Sequence, residues 1–252
     1  KDDAFQNELR ALRADLQIVV AFRMLPESVW NMPRLGTFNL HASLLPQYRG
    51  AAPINWAIIN GDKESGVTTF FLKHEIDTGN IIFRDIVSID ECDNAGTLHD
   101  KLMLQGGETV LRTVEAIVKG EVPQVAQQSL YSSESELRPA PKIFRETCRI
   151  DWRRSVDEVY NFVRGMSPYP AAWFEFVGEA EKRFAVKVYV AEKEYAAHCF
   201  DCGTLCSDGK NFIKIAVKGG YINLVELQLA GKKRMCVADL LRGFPLDGFT
   251  VE

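Results

Sequence analysis

A chain of 252 residues is long enough to build two hydrophobic cores rather than one. At 46% hydrophobic and 25% charged residues its composition is that of a globular protein, and no run of 18 apolar residues offers a helical membrane span. The net charge of -4 is uneven: residues 1–130 hold 12 Lys and Arg against 17 Asp and Glu, and residues 131–252 hold 18 against 17. A uniformly basic nucleic-acid binder is excluded, and contact with a polyanion is confined to local patches.

Residues 3–14 predict an amphipathic helix with Phe5, Leu9 and Leu12 on one stripe. It leads into Leu16–Phe22, a β-branched apolar run expected to be a buried strand. A helix feeding a parallel strand is the second half of a βαβ unit, so the first strands of this α/β domain are expected to lie ahead of Lys1. A short helix near Pro26–Trp30, a strand at Thr37–Leu40 and a helix between Pro53 and Gly61 follow. Val67–Leu72 and Ile81–Ile89 read as strands and Thr97–Lys119 as a long helix, together an α/β domain with parallel pairing over residues 1–125.

Residues 126–154 turn to Gln, Ser, Pro and basic residues, the composition of a connection. Ser155 and Glu158 form a capping box ahead of a helical stripe through Val156, Val159, Tyr160 and Val163. Five strands are then predicted, Ala171–Val177, Phe184–Ala191, Gly203–Cys206, Asn211–Lys218 and Tyr221–Gln228. Asp208-Gly209 and Gly219-Gly220 read as their hairpin turns. Five short strands over 155–252 suit a small OB-like β-barrel.

Ligands of open α/β sheets sit beyond the carboxyl ends of the strands. Asn39 and His41 lie two apart where a strand runs out, so both side chains share a face. Asp77 lies in the loop after Val67–Leu72, ahead of the turn pair Thr78-Gly79. An amide, an imidazole and a carboxylate suit acyl transfer, in which an oxyanion is stabilised and a proton moved. The spacing alone equally fits a structural strand-end histidine held by a carboxylate.

The wording of the segment goes further. The run from Asn39 through Leu-His-Ala-Ser-Leu-Leu-Pro-Gln-Tyr-Arg-Gly-Ala-Ala-Pro to Ile54, followed by Gly66-Val-Thr68 and Asp77-Thr-Gly79, resembles the folate-dependent formyltransferase family. The likeness continues through Ala140-Pro-Lys-Ile143, Ile150-Asp-Trp152 and Leu227 to Lys233, and so covers nearly the whole chain. It implies a Rossmann-like catalytic domain, a linker and a C-terminal OB-like barrel. It also implies transfer of a formyl group from 10-formyltetrahydrofolate to the α-amine of initiator methionyl-tRNA by a metal-free enzyme. Asn39, His41 and Asp77 are then the catalytic residues, and Phe22, Arg23, Met24, Leu25, Ser43, Leu44, Leu45 and Pro46 wall the folate pocket. Where the family has Pro before the Gly203 turn, this chain has Cys202.

Lys142, Arg145, Arg149, Arg153, Lys232 and Lys233 cluster in the connection and near the chain's end, and are expected to meet tRNA phosphates. A solvated charged face is the alternative. Cys199, Cys202 and Cys206 beside His198 resemble metal spacing, but no second Cys pair follows, and free thiols in a hairpin are expected. Six scattered cysteines and no basic apolar leader point to a cytoplasmic protein, expected to be a monomer with neither DNA nor a membrane as partner. Within the same chemistry, a sugar nucleotide or glycinamide ribotide could be the acceptor, or water in a hydrolase. An RNA-binding protein without catalysis is the rival from another class.

Overall fold

The computed structural model describes residues 3–22, 24–179 and 182–252. They form two compact units. The first comprises residues 1–54, 63–89 and 99–142, and the second residues 55–62, 90–98 and 143–252.

In chain order the elements are α1 (Asp3–Ala11), β1 (Gln17–Val20), α2 (Glu27–Trp30), β2 (Thr37–His41), α3 (Pro53–Ile59), β3 (Glu64–Phe71), β4 (Ile81–Ser88) and α4 (Ala95–Lys119). The strands form one sheet in the order β1-β2-β3-β4. Among these strands β1 and β2 pair in parallel as expected, with Val19 opposite Asn39, while the other two pairings are antiparallel. β3 returns antiparallel beside β2, pairing Leu40 with Thr69, and β4 reverses again across the loop 72–80. A bulge between Thr69 and Phe70 marks the entry to that loop, as bulges do where a chain must be re-aimed.

Alternation along β2 decides the layout of this unit. Phe38 is buried in a core with Ile82 and Ile117, against which Val110 and Val114 of α4 pack. Asn39 and His41 take the other face. At Gly106 of α4 an added side chain would meet the end of the Leu40 side chain, so helix and strand approach closely there. α1 forms as expected; on its apolar stripe Leu9 is half-buried while Phe5 and Leu12 are exposed. The run read as a buried strand is half exposed at Ile18 and Val20, because β1 has a strand partner on one side only among those residues.

From residue 143 the second unit runs through a 3-10 turn at Glu146–Cys148 into α5 (Val156–Met166), capped by Ser155 and Glu158 in the reciprocal arrangement expected. β5 (Ala172–Val177), β6 (Arg183–Tyr195), β7 (Leu205–Ser207), β8 (Ile213–Val217), β9 (Gly220–Leu229), β10 (Met235–Cys236), α6 (Val237–Leu241) and β11 (Thr250–Val251) follow. They make a barrel-like sheet in the order β11-β5-β6-β9-β8-β7, with β10 on β9. Its core joins Phe174, Phe176, Val186, Val188, Ile213, Ile222 and Leu224 to Val156, Val159 and Val163 of α5. The β8–β9 turn falls on Lys218-Gly219, one residue earlier than expected, since Val217 pairs with Gly220.

Candidate active site

Asn39 and His41 occupy the end of β2, both buried, and share its face with the loops that flank it. The amide Oδ1 of Asn39 has no hydrogen-bond partner among the described residues. An unpaired buried polar atom costs about 1–3 kcal/mol, so a native structure that keeps one usually uses it. Ser65, Trp152 and His198 each hold one as well.

His41 is held from two sides. Its Nε2 lies 2.9 Å from the carbonyl oxygen of Tyr48. A carbonyl only accepts, so Nε2 carries the proton and donates, and Nδ1 is the nitrogen left to act. That nitrogen lies 3.9 Å from Asp77 Oδ2, with both side chains nearly buried. Asp77 has a positive φ of 54°, and its carboxylate accepts from the Gly50 N–H at 3.0 Å. In the turn that follows, Thr78 Oγ1 donates to the Glu75 carbonyl. Support comes from Gln127, whose Nε2 donates to the carbonyls of Asp77 and Gly79.

Gly50 itself is fixed by backbone. It has φ +126° and bridges to Ala140, whose carbonyl accepts from Ala51 and whose N–H donates to Arg49. Tyr48 N–H donates in turn to Arg138. The segment 138–140 is thus laid along the motif loop 48–52.

Of the residues expected around folate, Ser43, Leu45 and Pro46 are buried and Leu44 half-buried. Thr68 Oγ1 donates to the Ser43 carbonyl at 2.6 Å and accepts from Leu45 N–H at 3.1 Å, while Arg84 Nη1 donates to the Leu45 carbonyl. These backbone groups therefore already have protein partners. Phe22 and Met24 are exposed and Leu25 half-buried, just past the carboxyl end of β1, which is also the end at which His41 lies. Arg23 lies outside the described residues.

The basic residues are less free than their spacing implied. Arg153 chelates Asp151 through Nε and Nη2, which holds that carboxyl below the usual carboxylate range. Arg149 reaches Glu175 and Glu252, and with Arg145 it lies over the Trp173 ring. Lys232 and Lys233 are exposed. His198, set beside the cysteines, lies with its Nε2 2.9 Å from the carbonyls of both Val217 and Gly220.

Two family models match the chain, "Formyl transferase" over residues 1–114 and "Formyl transferase, C-terminal domain" over residues 142–245. The chain belongs to the formyl transferase family. A protein of Parabacteroides distasonis named methionyl-tRNA formyltransferase is 61% identical over 97% of this chain and 75% of its own length. One of the same name from Phocaeicola vulgatus is 64% identical over 92% of this chain and 72% of its own. Among solved structures, HypX from Aquifex aeolicus in complex with tetrahydrofolic acid superposes with a TM-score of 0.67 at 21% identity. That likeness covers 95% of this chain and 41% of the other, and it shows a shared fold.

Proposed function

We propose that this formyl transferase moves the formyl group of 10-formyltetrahydrofolate to the α-amine of initiator methionyl-tRNA, yielding N-formylmethionyl-tRNA. The observation that carries the choice of acceptor is the identity of 61% along 97% of the chain with a methionyl-tRNA formyltransferase. The bound folate supplies an activated one-carbon unit at the formyl oxidation level.

Asn39 is the oxyanion donor through its Nδ2–H: the side chain is buried at the end of β2, and its unpartnered Oδ1 is left to accept from a bound substrate. His41 works through Nδ1, because Nε2 keeps its own proton on Tyr48: as the imidazolium it gives the Nδ1 proton to the formyl oxygen or to the departing nitrogen, and the proton lost by the attacking amine restores it. Asp77 takes the proton of the attacking amine through a water and steadies His41. An α-amine titrates near 7.7–8.0, so much of the acceptor is already nucleophilic at neutral pH, and proton traffic is the harder task.

Phe22, Arg23, Met24 and Leu25, with Ser43, Leu44, Leu45 and Pro46, wall the donor site, and residues 1–125 serve as the catalytic domain. Residues 126–154 are the basic linker and 155–252 the tRNA-binding barrel. Lys142, Arg145, Arg149, Arg153, Lys232 and Lys233 supply phosphate contacts. The enzyme acts in the cytoplasm as a monomer, without a metal. The fit to a soluble setting is that no described helix is long and apolar enough to cross a membrane. An assay with a labelled formyl donor and, in parallel, methionyl-tRNA, free methionine or water as acceptor tests the proposal. Label in methionyl-tRNA alone supports it, and label released to water or to free methionine counts against it.

A further inference from the structure

Gln127 belongs to no motif and stands in a stretch that composition marks as connection. It is nonetheless fully buried. Its amide uses every hydrogen-bonding position it has. The two N–H groups of Nε2 go to Asp77 O at 2.8 Å and Gly79 O at 2.9 Å. Its Oε1 receives Arg49 Nε at 3.0 Å and Nη2 at 2.7 Å. Turned over, the amide would set its oxygen against two carbonyls and its NH2 against a guanidinium, so only one orientation is tenable.

Its partners are the two segments that set the Asp77 carboxylate in place. Arg49 immediately precedes Gly50, whose N–H is the hydrogen bond made to that carboxylate. Asp77 and Gly79 bracket the turn that holds Asp77 at positive φ. The chain passes close to Phe71 at Gly79, where an added side chain would run into the Phe71 carbonyl. Pairing of Val125 with Ile81 brings the chain to this point, and Gln127 starts a 3-10 turn there.

We infer that Gln127 is a positioning residue for Asp77: with Arg49 it joins residues 49–50 to 77–79 and so sets the carboxylate at its distance from His41 Nδ1. The inference rests on the proposed role of Asp77. Gln127 touches no reacting atom. Its effect passes through a carboxylate whose displacement by about 1 Å can cost on the order of 10² in rate.

Three variants of the intact protein test this, each made with Asp77 present and in an Asp77→Ala background. Gln127→Met keeps the volume and removes the hydrogen bonds. Gln127→Glu keeps an acceptor for Arg49 but sets oxygen against the carbonyls of Asp77 and Gly79. Arg49→Lys leaves Gln127 in place and replaces a two-nitrogen contact by one. With Asp77 present, Gln127→Met should lower kcat by about 10–10²-fold, Gln127→Glu by more and Arg49→Lys by less, with little change in either KM. In the Asp77→Ala background each should cost less than about 3-fold, because residues that act through one group are not additive. A general structural role predicts the same fold-loss in both backgrounds, in step with the thermal midpoint, and that result overturns the inference. Unchanged kcat in both Gln127 variants overturns it as well. Asp77→Ala with normal turnover overturns the role of Asp77, a distinct result that removes the inference with it.

Discussion

Asn39 sits where stability and activity pull in opposite directions, and the conflict can be measured. Its amide oxygen is buried without a partner among the described residues, at a cost of about 1–3 kcal/mol to the folded state. The other end of the same amide, Nδ2–H, as oxyanion donor, should contribute about 2.7–4 kcal/mol to the transition state, or 10²–10³ in turnover. Replacing Asn39 with Leu, alike in branching, somewhat larger and wholly apolar, removes both terms at once. The desolvation cost disappears, less any overpacking, which typically costs 1–3 kcal/mol. Asn39→Leu is therefore expected to lie within about 2 kcal/mol of the parent in either direction, a change of up to several degrees in Tm for a protein of this size. Its kcat should fall about 10²–10³-fold, with KM for the folate donor nearly unchanged. Asn39→Ala, which leaves a small cavity, should lose the same activity without any gain in stability. Thermal or urea unfolding beside steady-state kinetics provides both readouts. A loss of stability of about 2 kcal/mol or more in the Leu variant would mean that the amide is held within the protein and that its burial is structural. Turnover within about 3-fold of the parent would remove it from the mechanism.

Asp77→Ala should lower kcat by at least about 10²-fold, and Asp77→Asn, which can still accept from the Gly50 N–H, should retain the loop's stability while losing comparable turnover. Comparing melting curves with kcat separates charge from anchoring. Gly79→Ala should destabilise the 72–80 loop by at least about 1–3 kcal/mol and abolish turnover, because its Cβ would run into the Phe71 carbonyl, as protease nicking of that loop would report. Replacing Lys142, Arg145 and Arg149 together by Ser should raise KM for methionyl-tRNA and leave the donor KM alone. The log–log salt slope should shrink by less than the roughly 0.7–1 per contact expected of three free cations, since Arg149 is shared with Glu175 and Glu252. An unaltered tRNA KM at two ionic strengths would dismiss these contacts.

Element existence was largely legible in the sequence, and direction was not. β3 and β4 announce themselves by apolar and β-branched runs, and α5 by Ser155 and Glu158 three apart. Nothing local states that β3 runs antiparallel to β2. A strand, then α3, then another strand reads as a parallel crossover, and the choice is made by how the ends of β2 and β3 meet in space. The two-residue strands β10 and β11 are too short to carry a period. β6 runs on to Tyr195 because Lys193 and Glu194, polar in sequence, still pair with β9 on the surface.

The site divides along the same line. Asn39, His41 and Asp77 are legible because a reacting group must be one of few residue types, at a strand end or in the loop beyond it. What holds them is not, because it is made of backbone. His41 is committed by a Tyr48 carbonyl and Asp77 by a Gly50 N–H, and neither group depends on which side chain its residue bears. The polar, Pro-containing composition of 126–154 reads as a linker, yet Ala140 spends both its N–H and its carbonyl on the loop 49–52 and Gln127 closes over the Asp77 turn. Such a segment needs no apolar stripe to be integral, since its contribution is hydrogen bonds aimed at other hydrogen-bonding groups in a buried place. A substitution there should therefore disturb chemistry before it disturbs folding, the reverse of what its composition implies.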